Sequence, residues 1–218
     1  MAVEPIDCQS PRVGTLPTVP AKPTLILLVR HGATEWSVAG RHTSRTDLPL
    51  TNLGMRQARG VGKVIRQWVG DAEPLVYSSP MLRAKQTAAL AIPGHHEVEL
   101  ADALMEYDYG IFEGLTTTQI LERDSSWDLF TSRGCQGGEN LIRVAARCDG
   151  FIARLERAAQ GRVVVAFTHG HLGRILTARL MGIPASAAAG LWNDTASVAA
   201  INLHRDKLVL VGWNITAS

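Results

Sequence analysis

A chain of 218 residues, 46% of them apolar, is long enough to bury the core of one large α/β domain. Its 22 basic and 20 acidic residues leave a net charge of +2 with no block of like charge, which excludes the electrostatic footprint of a nucleic-acid binder. No run approaches the ~18 apolar residues of a membrane span. The three cysteines, Cys8, Cys135 and Cys148, are too few and too scattered for a disulfide framework or a zinc site, which predicts a reduced, cytoplasmic protein.

Residues 1–23 hold five of the ten prolines and lack the apolar centre of a signal peptide. They read as a flexible Pro-rich tail ahead of a single domain, 24–218. Leu25 to Val29 form a continuous apolar run, the mark of a strand buried on both faces. The run stops abruptly at Arg30, His31 and Gly32. Thr34–Leu50 is polar and reads as a loop. Thr51 or Asn52 can cap a helix to about Val69, with Met55, Ala58, Val61, Ile65 and Val69 on one face. LVYS (75–78) reads as a strand. Ser79 as cap and Pro80 as first helical residue predict a helix that places Arg83 in its first turn. HEVEL (96–100) is a third strand, and EYDYGIFEGLT (106–116) a loop.

A short helix is expected around Thr118–Arg123 and a long one over Glu139–Ala159, with Leu141, Val144, Cys148, Ile152 and Leu155 inward. RVVVAFT (162–168) is a second fully apolar strand, ending in His169, Gly170 and His171. A helix follows to Leu180. ASVAAINLH (196–204) and KLVLVGW (207–213) predict a closing hairpin. The alternation implies a three-layer α/β/α sandwich with a mostly parallel central sheet.

Two buried strands thus end alike, VRHG and THGH. A third is followed by Arg83, and Glu106 opens the loop after a fourth. In a parallel sheet the carboxyl ends share one side, where open α/β sheets build their sites. Arg forks match phosphoryl oxygens, with charge-assisted bonds of roughly 1.5–3 kcal/mol each. The helix start at Gly170 can add N–H donors, an imidazole can take a phosphoryl group, and a carboxylic acid can protonate the leaving oxygen. No Walker A or dinucleotide fingerprint is present. Metal ligation by His31 and His169 stays open, although two nearby arginines disfavour a divalent ion.

LLVRHGATEW, SSPMLRAKQTA, EYDYGIFEG and AFTHGH, in this order and spacing, resemble the histidine phosphatase superfamily, the phosphoglycerate-mutase-like proteins. The resemblance runs over about Thr24–Trp213. It implies His31 as the nucleophile, Arg30, Arg83 and His169 as holders of the phosphoryl oxygens, Glu106 as proton donor, and no metal or other cofactor. Ser37 stands where relatives often have Asn, and Thr168 where Ser is common. HTSRTDLPLT, EYDYGIFEGLT and GCQGGE resemble the branch with broad acid phosphatases and sedoheptulose-bisphosphatase-like enzymes.

Thr43, His42 and His171 are candidates, with Ser37 and Gly170, for holding the substrate. Asp108 and Glu113 are expected at the pocket mouth, where they would repel a glycerate carboxylate, and Tyr107 among the groups that meet sugar hydroxyls. His95 and His96 read as a surface turn, and Trp192 and Trp213 as packing. The expected activity is a phosphomonoesterase of acid-phosphatase type, acting on a small phosphorylated metabolite such as a sugar phosphate. The alternatives are a phosphoglycerate mutase and an inactive phospho-ligand binder. Homo-oligomerisation stays open.

Overall fold

The computed structural model describes residues 23–94, 97–131 and 133–217. The expected tail, except for a buried Pro23, and with it Cys8, lies outside them, as do His95 and His96. One six-stranded sheet runs in the order β3-β2-β4-β1-β5-β6, with β1 Leu25–Arg30, β2 Leu75–Ser78, β3 Val98–Leu100, β4 Val163–Thr168, β5 Val198–His204 and β6 Lys207–Ile215. The first four are mutually parallel, and β5 and β6 complete the sheet antiparallel.

The apolar run of β1 follows from cover on both faces. Leu25, Leu27 and Val29 pack with Val61, Val64 and Ile65 of α2 (Asn52–Val69) and Ala88 and Ala91 of α3 (Leu82–Ala91). Ile26 and Leu28 belong to the opposite core, with Val144, Cys148, Phe151 and Leu155 of α5 (Leu141–Ala158) and Leu172, Ile175 and Leu176 of α6 (Gly170–Leu180). The sandwich is the one the alternation implied. The closing hairpin turns on Arg205 and Asp206, both at positive φ (45° and 66°), which lets a two-residue turn match the strand twist.

Local expectations needed correction. The polar stretch after β1 is not all loop: α1 (Glu35–Val38) sits in it, held by a capping box between Thr34 and Ser37. Met81, not Ser79, caps α3, and Pro80 precedes the helix. The Ser79 N–H still bonds to Phe167 O (2.9 Å), so the chain stays extended past Ser78 before it turns. β3 is shorter than expected. The aromatic loop contains a 3-10 turn at Gly110–Phe112, preceded by another at Asp102–Leu104. α4 is Thr117–Arg123. α5 begins at Leu141, because Asn140 caps it and Glu139 faces elsewhere.

Candidate active site

β1 and β4 are adjacent and in register, with Arg30 opposite Thr168. Their chains therefore leave the sheet at one level, and the His31 and His169 rings lie 5.2 Å apart, edge to face. A cavity of about 330 Å³ opens at this end of the sheet. Of the expected site residues, Arg30, His31, Ser37, Thr43, Glu106, Gly170 and His171 line it. Arg83 and His169 do not: both are fully buried behind the cavity wall.

His31 Nδ1 lies 2.7 Å from the carbonyl of Gly32, which can only accept, so Nδ1 carries the hydrogen and Nε2 keeps a lone pair. Burial, then the charges of Arg30 and Arg83, hold the imidazole pKa well below its usual value. Arg30 donates through Nη1 to Asn193 O (2.7 Å), while its buried Nε has no partner. A Cβ on Gly170 would stand 3.3 Å from the Arg30 guanidinium carbon, so the glycine lets the fork lie against backbone.

His169 is differently placed. Its Nδ1 accepts from Arg83 Nε (3.2 Å), so Nε2 carries the hydrogen and faces Ser79 Oγ at 2.8 Å. Arg83 also donates to the carbonyls of Thr43, Ser44 and Thr46. Four of its five N–H groups are thus engaged without a ligand. Burial and the Arg83 charge keep His169 neutral, its pKa well below the usual value.

The buried Glu106 carboxylate accepts from three amides: Tyr107 (2.9 Å), His171 (3.0 Å) and Leu172 (2.8 Å). The amides of His171 and Leu172 at the start of α6, expected to face a phosphoryl group, hold this carboxylate instead. The Ser37 hydroxyl lines the cavity but donates to Thr34 O (3.0 Å) within its capping box.

The far wall is aromatic. Tyr109 OH and His171 Nδ1 lie 2.6 Å apart, and the His171 and His42 rings stack at 5.6 Å. Burial pushes His42 down to a pKa of about 4. Sequence reasoning missed Tyr109, Asn193, Arg41 and Arg174, all of which line the cavity. Arg174 had a signal: it follows Gly170 by four residues and His171 by three, on one helix face. Its fork is fixed by Ala188 O and Ala189 O, with Phe130 stacked against it. Asn193, in the loop before β5, had none. Trp192, expected as packing, is 67% exposed on the cavity rim.

The two acids expected at the mouth are not there, although a third, Asp194, lines the cavity. Asp108 pairs with Arg45, Glu113 accepts from the amides of Ser44 and Thr46, and none of Asp108, Glu113 and Tyr107 lines the cavity. The local charge is instead positive. Arg30, Arg83 and Arg174 make no salt bridge among the described residues, and for each the strongest attraction is Glu106. With the histidines neutral, four guanidiniums (Arg30, Arg41 and Arg174 on the cavity, Arg83 behind it) stand against the two acids that line it, Glu106 and Asp194, an excess of two formal positive charges and the complement of a phosphomonoester dianion. No group of three or more metal-binding side chains occurs among the described residues, and no described helix is long and apolar enough to cross a membrane.

Residues 26–216 match the family model of the histidine phosphatase superfamily, branch 1. The chain is 38% identical to an acid phosphatase of Mycobacterium tuberculosis, over 79% of this chain and 83% of that one. It is 32% identical to a sedoheptulose 1,7-bisphosphatase of Saccharomyces cerevisiae, over 72% of this chain and 67% of that one. A solved structure of an open reading frame product of Mycobacterium tuberculosis superposes with a TM-score of 0.83 at 34% identity, covering 89% of this chain and 98% of that one. Two histidines at the carboxyl ends of adjacent parallel strands, one lining a pocket of surplus positive charge and one buried behind it, thus accompany a match over nearly the whole described chain, and the protein belongs to the histidine phosphatase superfamily, branch 1.

Proposed function

We propose that this enzyme hydrolyses small phosphorylated metabolites, with sugar phosphates as the expected class, through a phosphohistidine on His31. The observation that carries this reading is the pairing of a neutral imidazole, its Nδ1–H tied to Gly32 O, with an unpartnered buried Arg30 Nε beside the same cavity. The Nε2 lone pair attacks phosphorus and the ester P–O bond breaks. The leaving oxygen takes its proton from the Glu106 carboxyl group. Water then attacks the phosphohistidine, Glu106 takes the water's proton, and the N–P bond breaks to release phosphate and restore Nε2. Similarity to an acid phosphatase and to a sedoheptulose bisphosphatase supports hydrolysis over isomerisation and favours sugar phosphates. The buried free thiols of Cys135 and Cys148 suit a cytoplasmic location.

The test is a base quench of the enzyme turning over a labelled phosphate ester. A base-stable, acid-labile adduct on His31 is expected, along with phosphate release that survives a chelator. Interconversion of 2- and 3-phosphoglycerate at ~10 per second with little phosphate released would restore the mutase alternative. Binding of phosphate esters without turnover would restore the inactive binder.

A further inference from the structure

The chain from Met105 to Tyr109 carries Glu106, yet it runs between one 3-10 turn and the next without helix or strand. Irregular backbone inside a fold needs partners for its polar groups. Here side chains supply them. Arg147, on α5, donates through Nη1 to Ala103 O (2.9 Å) and Met105 O (2.7 Å), and through Nη2 to Glu106 O (3.4 Å). Thr168 Oγ1 donates to Leu104 O (2.9 Å), and the Asp108 N–H donates to Glu139 Oε2 (3.0 Å). Glu139 in turn holds Arg147 by a two-pronged pair, at 3.1 Å to Nε and 2.8 Å to Nη2. Neither Arg147 nor Glu139 lines the cavity.

We propose that the Arg147–Glu139 pair is a positioning device for the proton donor: the guanidinium is the template around which 103–106 bends, and Glu139 fixes both the guanidinium and the amide two residues beyond Glu106. Among the described residues the Glu106 side chain hydrogen-bonds to the amides of Tyr107, His171 and Leu172. Its reach toward a leaving oxygen therefore depends on where its own backbone is held. A planar fork with several fixed donors can bridge three carbonyls and a carboxylate at once, which the point charge of a lysine cannot. The loop before α5 places Glu139 opposite that fork, which accounts for the helix starting at Leu141.

The inference rests on Glu106 being the proton donor, and its test separates the two claims by leaving group. An alkyl phosphate, such as glycerol phosphate, needs the proton in the transition state of phosphoenzyme formation, and p-nitrophenyl phosphate does not; dephosphorylation, in which Glu106 serves as base, is common to both, so the rate read is that of phosphoenzyme formation in a single turnover. Arg147→Met is expected to lower that rate with the alkyl ester by on the order of 10²-fold, the lower end of what general acid catalysis supplies. KM should change little, and phosphoenzyme formation from the aryl ester should be nearly unaffected. Glu139→Gln should show the same pattern in weaker form, and Arg147→Lys should not restore the alkyl rate. Should Arg147→Met fail to fold, Glu139→Gln decides alone, since it keeps the side-chain volume and an acceptor for Asp108. Equal losses on both esters, a change confined to KM, or folded variants with the wild-type ratio of rates would overturn the proposal. A Glu106→Gln enzyme in which phosphoenzyme formation slows equally from both esters would instead remove Glu106 from the donor role, and the positioning proposal would fall with it.

Discussion

The ends of β1 and β4 read almost alike in sequence, RHG against THGH, but the fold treats their histidines differently. His31 borders the cavity with one nitrogen tied to backbone and the other uncommitted. His169 is fully buried, with Nδ1 facing Arg83 and Nε2 facing Ser79. The difference arises from neighbours, not from the strands, which are parallel and in register. After β1 the carbonyl of Gly32 turns back onto the ring. After β4 the chain enters α6 at once, with His169 as its cap, and the ring faces inward across β2. One imidazole keeps an uncommitted nitrogen and the other is built into a hydrogen-bonded chain.

Exchange of roles would break this comparison. His31→Ala should lower turnover by on the order of 10⁴-fold or more, as deletion of other nucleophiles does, and abolish the phosphoenzyme. His169→Ala should cost ~10²–10³-fold, the range for loss of one oxyanion donor, and still form phosphoenzyme slowly. Rapid-quench measurement of both variants checks the order. A His169→Ala enzyme without phosphoenzyme, beside a His31→Ala enzyme that retains it, would move the nucleophile to β4.

Arg83→Met tests the supporting chain next. It removes four hydrogen bonds and leaves the carbonyls of Thr43, Ser44 and Thr46 without this donor. Each buried group left unpaired costs roughly 1–3 kcal/mol. Unlike His31→Ala, this variant should therefore lose both activity and thermal stability. Wild-type melting with lost activity would show that the segment 43–46 stands without Arg83.

How much of this was legible in the sequence follows from range. β1 and β4 announced themselves because a strand covered on both faces must be apolar throughout, and the four quoted motifs fixed the sheet's carboxyl end as the site. Ser79 looked like a helix cap because the Ser-Pro pair matches that signal, but its hydroxyl faces a histidine 90 residues away. Asp108 and Glu113 looked like mouth residues because a pattern names charges without their partners. Arg45 and the amides of Ser44 and Thr46 were not visible from the loop itself. Arg174 was within reach of helical spacing. Asn193, which meets Arg30 from the loop before β5, had no local signal.

The histidines also set a pH window. His31, His42, His169 and His171 all have pKa values lowered chiefly by burial. The unfolded chain takes up protons near the ordinary histidine value of ~6.5, whereas the folded chain resists until lower pH. More protons on the unfolded state below that value mean that stability is fully present above about pH 6.5 and is lost as pH falls through the window. For His42 the window extends to about 4. Melting temperature should fall steadily from pH 7 to pH 4. His42→Asn, at one of the two partly exposed members (His171 is the other), should flatten the slope. A melting temperature independent of pH over that range would show that these imidazoles titrate alike folded and unfolded.

The smallest expected effect has the most informative sign. The Ser79 hydroxyl is the partner of His169 Nε2. If His169 holds a phosphoryl oxygen during turnover, its N–H must leave Ser79 to do so. Ser79→Ala then removes an interaction that exists only before the ligand binds, together with the acceptor of the Met81 N–H (3.3 Å), whose loss is common to both states and cancels in the binding comparison. A typical hydrogen bond contributes about 1 kcal/mol net, so the free enzyme should lose about that much stability. By the same amount the ligand-bound state gains relative to the free one. Vanadate or phosphate should therefore bind about fivefold more tightly to Ser79→Ala, a change of about 1 kcal/mol. Weaker vanadate binding would place the Ser79 hydroxyl among the groups that hold the phosphoryl oxygens. Unchanged binding with reduced stability would mean that His169 keeps Ser79 throughout and supports His31 only as part of the wall behind it.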